Sequence, residues 1–308
     1  MKILKDNLLR YLFAVSIATI AFSCQKEIMI PQPDYTGKVS IEGIMEPDSL
    51  PLVYLFRTVP YLTGSTNPSD LVIRDAIVKI SSVDGTDVLH LDSVYSKLDC
   101  RYNFYYKGNV KTKTNVTYKL EVVDGEKIYE ATTSTTLSKV TIDSVTYTSV
   151  FQDLYGEHEG VITYFNDIPG EDNFYRYEMY RAVDSTVKRG EKKLYGSCLA
   201  GDTIMFTELG RSVYNDLNLA GQQISIVAEP ALSHNYDSLR GYVVGYVRIQ
   251  SIDKATYNFY DQTDRQKLGV YNPFVEPLFL KEGQFGKDAF GFFGSMVRSD
   301  SVYFVYPE

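Results

Sequence analysis

Residues 116–129 constrain the fold before any other stretch does. Val116, Tyr118, Leu120 and Val122 alternate with Thr117, Lys119 and Glu121, Asp124-Gly125 intervenes, and KIYEATTST follows. A period of two places the apolar set on one face of a pleated strand and the polar set on the other. Asp-Gly suits the positive φ angles of a type I′ turn, whose twist matches the strands it joins. The same signal recurs at Asp84-Gly85, between IVKISSV and DVLHLDSV. Antiparallel hairpins with one wet face need a second layer to cover the other, which points to an all-β sandwich.

The alternation begins at Lys38, with Val39 and Ile41, and continues through Leu52, Tyr54 and Phe56 and then Ala76, Val78 and Ile80. With about seven strands in about a hundred residues and no helical period, residues 38–137 read as an immunoglobulin-like or transthyretin-like sandwich. The Ser/Thr-rich stretch TTSTTLS, residues 132–138, marks a boundary. Residues 138–308 then read as a second β-rich domain, a sandwich or a barrel. Its strands include EGVITYF, the Tyr-rich NFYRYEMYRAV, QQISIVA, GYVVGYVRIQSI, FGFFGSMV and SVYFVYP. One exception is predicted: a helix over 253–268, with Asp253 as N-cap and Tyr257, Tyr260 and Leu268 roughly on one face.

The first 27 residues decide where the chain lives. Lys2, Lys5 and Arg10 precede an uncharged, mainly apolar run from Tyr11 to Phe22, then Ser23 and Cys24. Twelve residues rise about 18 Å as a helix against a hydrocarbon core of roughly 30 Å, so the run is too short for a permanent span. Residues 1–23 therefore read as a lipoprotein signal peptide, cleaved before a lipidated Cys24 that carries acyl chains such as palmitate. Residues 24–37, with Pro31 and Pro33, form the tether. Ala21 stands where the usual cleavage box has Leu, a departure that Bacteroidota lipoproteins tolerate. Gln25-Lys26-Glu27 after the cysteine is similar to the signal that sends their lipoproteins to the cell surface. The expected location is the outer membrane, anchored by lipid and facing outward.

The leader holds Lys2, Lys5, Arg10 and Asp6, so of 31 basic and 39 acidic residues 28 and 38 remain, a net charge of −10. An acidic chain without a long basic run is a poor partner for nucleic acid or anionic lipid. The 26 tyrosines suit half-wet sheet faces; in the strand Phe174–Tyr180 they also suggest a platform, with Tyr175, Tyr177 and Tyr180 as candidate contacts for a small-molecule, peptide or glycan ligand. Cys100 and Cys198 follow no framework spacing, which leaves their pairing open, and His90, His158 and His234 lack ligand spacing, so no metal or cofactor is expected.

No nucleophile elbow, His-Glu-x-x-His pair, phosphate loop or dinucleotide fingerprint occurs, and a non-enzymatic role is expected. The glycines 283, 286, 291 and 294 read as strand bends, and the loop Asn166 to Asn173 as a polar turn. Asp followed by Ser or Thr recurs, with acceptors at Ser49, Ser93, Ser144, Ser185, Thr203, Ser238 and Ser301. The pattern resembles the O-glycosylation acceptor of exported Bacteroidota proteins; its plainer meaning is a marker of strand starts.

The early VSIEGIM, IRDAIVKI before an Asp-Gly turn, Thr117-Tyr118-Lys119-Leu120, Phe165-Asn166-Asp167 leading to Asn173-Phe174-Tyr175-Arg176, VRIQSIDKATYNFY and GQFGKDAFGFFG follow one another in order. Together they resemble a Bacteroidota surface lipoprotein family of unknown function that accompanies TonB-dependent outer-membrane receptors. The resemblance implies a non-enzymatic accessory or binding partner of a nutrient transporter. A structural or adhesive surface protein is the alternative, and a carboxylate-dependent hydrolase the second alternative.

Overall fold

The computed structural model describes residues 37–60, 66–96, 101–153, 156–170, 172–184, 203–207, 212–217, 219, 221–228, 243–270 and 280–305. Among the described residues strands make up 59% and helix 9%, so the class is all-β. β1 (Val39–Met45) pairs antiparallel with β2 (Leu52–Arg57), and β3 (Ile77–Ser82) with β4 (Gly85–Ser96). β5 (Arg101–Lys107) joins β2 to β4, while β6 (Thr117–Asp124) and β7 (Lys127–Ser134) form the second hairpin, paired to β3. The predicted alternation holds on β6: Tyr118, Leu120 and Val122 are buried, and Thr117, Lys119 and Glu121 face outward.

Both Asp-Gly hairpins form, with turns other than I′. In the second, Asp124 pairs with Lys127 and Gly125 alone takes a positive φ (60°), the pattern of a II′ turn with glycine first. In the first, Ser82 pairs with Gly85, so the loop residues are Val83 and Asp84, and Gly85 takes the positive φ (133°) just after them. The glycine is used in each case, one place away from where a I′ turn would put it.

The remainder adds β8 (Ile142–Asp153), β9 (Gly156–Asn166), β10 (Phe174–Asp184), β11 (Thr203–Thr207), β12 (Val213–Asn215), β13 (Gln223–Ala228), β14 (Val243–Ile252), helix α1 (Lys254–Val270), β15 (Ala289–Arg298) and β16 (Val302–Val305). One sheet runs β11-β10-β14-β15-β1-β2-β5-β4-β3-β6-β7, with β12 on β10 and β16 on β14; a three-stranded sheet runs β13-β9-β8. The sheet is therefore continuous across residues 132–138: β15 pairs parallel with β1, from Val39 opposite Ala289 to Met45 opposite Ser295.

The hydrophobic cores are nonetheless separate. One gathers Ile41, Val53, Leu55, Ile80 and Leu120 with Phe285 and Phe293. Another gathers Val161, Phe165, Tyr175, Met179, Val247 and Ile249 between β9 and the β10–β14 pair. A third and smaller cluster, including Ile252, Tyr257 and Met296, lies under α1.

The helix begins where the sequence places it. The Asp253 Oδ1 accepts from the Thr256 N–H (2.9 Å) and hydroxyl (2.7 Å), while Oδ2 accepts from the Ser295 N–H on β15 (2.9 Å) and the Thr133 hydroxyl on β7 (2.7 Å). One carboxylate thus caps α1 and ties it to two strands. Gly294 lets the helix approach, since a Cβ there would stand 1.8 Å from the Thr256 hydroxyl. Among the described residues no helix is long and apolar enough to cross a membrane.

Candidate functional site

Strand alternation sorts the side chains of β10 and β14 onto two faces. Tyr175, Tyr177, Met179, Val247 and Ile249 enter the core against β9. The intervening Arg176, Glu178, Arg248 and Gln250 therefore take the opposite face, with Arg176 directly across from Gln250 and Glu178 across from Arg248. Arg298 of β15 lies next to Gln250 on the same row, and β1 contributes Glu42 and, just past its end, Glu46. Tyr54 of β2, opposite Glu42, and Tyr105 of β5 extend the row, their rings 5.8 Å apart.

The result is a strip of Arg, Glu, Gln and Tyr beside α1. Arg176 stacks on the Tyr260 ring of α1 at 4.1 Å and donates to the Gln250 side-chain oxygen at 3.4 Å. Glu178 lies 3.3 Å from Arg176 and 3.7 Å from Arg248, so one carboxylate faces two guanidinium groups. Arg298 pairs with Glu46. Burial raises the Glu42 carboxyl, against the opposing pull of Arg176 and Lys267. Burial likewise pushes the Tyr260 phenol up to about 12, with Arg176 pulling it down and Glu42, Glu178 and Tyr54 adding to the rise.

At the end of the first core an open cleft of about 190 Å³ has Met45, Ile80 and Tyr118 as its apolar floor. Three of its charged rim groups are partnered within the chain. Lys113 meets Asp84 at 2.9 Å, and the Asp87 carboxylate accepts from Asn109 N (2.7 Å), Asn109 Nδ2 (3.0 Å) and Val110 N (3.0 Å). Burial acts upward on Asp87, and those three bonds together outweigh it and hold the carboxyl low.

The candidates drawn from sequence scatter over the fold. Tyr175 is 0% exposed: its hydroxyl donates to Asp167 at 2.5 Å and accepts from the Ile168 N–H, while the other Asp167 oxygen accepts from Gly221 N–H at 2.7 Å. Tyr177 is also a core residue. Both give their rings to the second core, because the alternating positions Arg176 and Glu178 hold the other face. Tyr180 lies on β10 opposite Tyr246, and its side chain falls outside the described residues.

Among the Asp-Ser/Thr acceptors, Ser144 is exposed near the start of β8, beside a register shift. Ser49, Ser93 and Ser301 are half-buried, with Ser93 in the middle of β4 and its N–H on Asp92. Ser185, Ser238 and the side chain of Thr203 lie outside the described residues, as do Cys24, Cys100 and Cys198. Within the described residues no three His, Cys, Asp or Glu side chains converge as a metal site requires. The glycine-rich stretch bends at Gly283 and Gly286, with Phe285 in the first core and the Gln284 amide bonded to Phe293 N (2.7 Å) and O (3.1 Å).

Sequence reasoning missed the charged strip. Its members lie on six strands, and the parallel β1–β15 pairing is what joins β1, β2 and β5 to the row formed by β10, β14 and β15. The legible signal was Arg176 and Glu178 alternating with tyrosines in NFYRYEMY, which marks a strand with two occupied faces.

A model of a family described as a domain of unknown function, DUF4249, matches residues 25–300, beginning one residue after Cys24. No curated protein matches the chain.

Proposed function

The chain belongs to the DUF4249 domain-of-unknown-function family, and from that premise we propose that it is an outer-membrane lipoprotein, tethered by Cys24 and facing the cell exterior, that serves a TonB-dependent nutrient transporter as a non-enzymatic accessory. The observation that carries the reading is the leader. Three basic residues, an uncharged run too short to span, and Ser23-Cys24 stand directly before the matched segment.

Tethering supplies the physical logic. Two or more acyl chains anchor a protein stably, and confinement to the membrane plane raises its effective concentration beside any partner there. The half-buried Arg/Glu/Gln/Tyr strip supports recognition, since it offers fixed hydrogen-bonding groups with an aromatic wall.

Metabolic labelling with an alkyne fatty acid, paired with protease treatment of intact cells, tests the anchor and the face. The full-length chain takes up label, Cys24→Ala does not, and external protease removes the protein from unbroken cells. Label retained in Cys24→Ala overturns the anchor, and protection from protease until lysis overturns the outward face.

A further inference from the structure

The open cleft at the end of the first core has four charged residues on its walls, Asp84, Asp87, Lys111 and Lys113. Asp84 meets Lys113 at 2.9 Å, and the Asp87 carboxylate is taken up by N–H donors of Asn109 and Val110. Lys111 is exposed and has neither a hydrogen bond nor an ion pair among the described residues. A second donor is also unused. The Tyr118 hydroxyl accepts from the Lys113 N–H at 2.7 Å, and its own proton has no acceptor among the described residues. Tyr118 is 7% exposed and lines the cleft, which is where that proton can find one.

The walls are fixed by the chain itself. The β3–β4 turn supplies Ser82 to Asp87 on one side, and residues 110–113 supply the other. Thr112 exchanges backbone bonds with Asp48 (2.9 Å) and Ser49 (3.0 Å), and the Gly108 N–H donates to the Pro51 carbonyl (3.0 Å). The Asp87 bonds and the Asp84–Lys113 pair cross from one wall to the other. A site formed in advance loses little to ordering when a ligand arrives. Val110, 62% exposed, adds an apolar face at the mouth above the Met45, Ile80 and Tyr118 floor.

We infer that this cleft binds a small monocarboxylic acid with one compact aryl or branched-alkyl body. The body rests on the floor, and the carboxylate meets Lys111 and the Tyr118 hydroxyl. The two donors are within one ligand's reach: the hydroxyl is bonded to the Lys113 backbone, and Lys111, two residues earlier, carries its ammonium on a flexible four-carbon stem. Size limits the body. A cavity of about 150 Å³ takes a benzene ring, whereas drug-sized ligands need roughly 300–1,000 Å³. At about 190 Å³ the cleft accommodates one ring or one branched chain. Charge limits the head group: an amine would meet Lys111 and Lys113, and a dianion would bring its second charge beside Asp84 and Asp87.

The assignment names a ligand class for the proposed accessory role and rests on that reading only for its biological use. Binding is measured on the purified chain alone, so a failure here leaves the transporter partnership untouched.

The test is a ligand-observed NMR titration of the full chain, purified in detergent at low ionic strength, with 3-phenylpropionate, its neutral amide and the dianion phenylsuccinate. The monocarboxylate binds saturably, and the amide and the dianion bind more weakly. Lys111→Gln weakens 3-phenylpropionate about three- to fivefold, as expected for an exposed charge. Tyr118→Phe weakens it about three- to tenfold through loss of one hydrogen bond. Lys127→Gln removes the same charge from an exposed residue of β7 outside the cleft, leaves binding as it was, and controls for uptake of the acid by detergent. Far-ultraviolet circular dichroism confirms that each variant is folded; if Tyr118→Phe is not, Lys111→Gln, a change at an exposed and unbonded side chain, carries the comparison. Absence of saturable binding to the folded wild-type chain, amide or dianion binding as tight as the monocarboxylate's, or unchanged binding in either folded cleft variant overturns the assignment.

Discussion

Replacing Asp253 by alanine should cost far more than the loss of an ordinary helix cap. The cap itself is worth about 1 kcal/mol. Oδ2 serves two further donors: the N–H of Ser295, a residue with 0% exposure, and the hydroxyl of Thr133, a residue with 7% exposure. A buried N–H left without a partner costs about 1–3 kcal/mol, and loss of the hydroxyl bond to a charged acceptor adds about 1 kcal/mol. The sum is roughly 3–5 kcal/mol, which corresponds to a fall in Tm on the order of 10 °C for a chain of this size. Asp253→Asn should recover only the cap, because its amide would present a second N–H to the Ser295 N–H. The assay is urea denaturation of wild type, Asp253→Ala, Thr133→Val and the double variant. A coupling of about 1–2 kcal/mol between Asp253 and Thr133 is expected. A loss below about 1 kcal/mol for Asp253→Ala, or strict additivity within about 0.3 kcal/mol, would refute the claim that one carboxylate joins α1, β7 and β15.

Other consequences can be checked the same way. Gly291→Ala should abolish the native fold or cost more than about 4 kcal/mol, because a Cβ there would lie 1.8 Å from the Ile41 carbonyl oxygen at φ +118°; a folded variant of wild-type stability in a thermal melt would contradict the β1–β15 pairing. Tyr175→Phe should destabilise by about 1–3 kcal/mol in denaturant, since Asp167, itself 4% exposed, loses its phenol donor. Glu42→Gln should stabilise the chain at neutral pH. The folded carboxyl is raised by burial, so the folded state holds its proton more tightly than the unfolded one, and stability is lost as pH rises from the unfolded value through the folded one. Melts recorded against pH should show that downward slope in wild type and lose it in Glu42→Gln.

How much the sequence disclosed depended on whether a signal was local. The β6–β7 hairpin, its alternation and the Asp253 cap depend on residues within a few positions of each other, and each was readable. The turn type was not, because Gly125 can sit at either central position of a two-residue loop and the ladder register decides which. The Ser/Thr-rich stretch at residues 132–138 suggested a division, whereas the first core draws Phe285, Ala289 and Phe293 from beyond it and β15 crosses it to pair with β1, a contact over about 250 residues that no local pattern announces. Tyr175 and Tyr177 looked like a platform because tyrosine suits either face of a strand. Their burial follows from the three-stranded β13-β9-β8 sheet, whose docking side is a tertiary fact. The Arg176–Gln250 pairing was hidden for the same reason: each residue alone is an ordinary polar strand position.

The decisive measurement for the accessory role is affinity purification of the C-terminally tagged chain from gently solubilised outer membrane of its native host, with the stoichiometry of co-purifying proteins read by quantitative mass spectrometry. The account predicts a TonB-dependent receptor in near-equal amount. Recovery of the tagged chain by itself, reproducibly and after crosslinking, would contradict it.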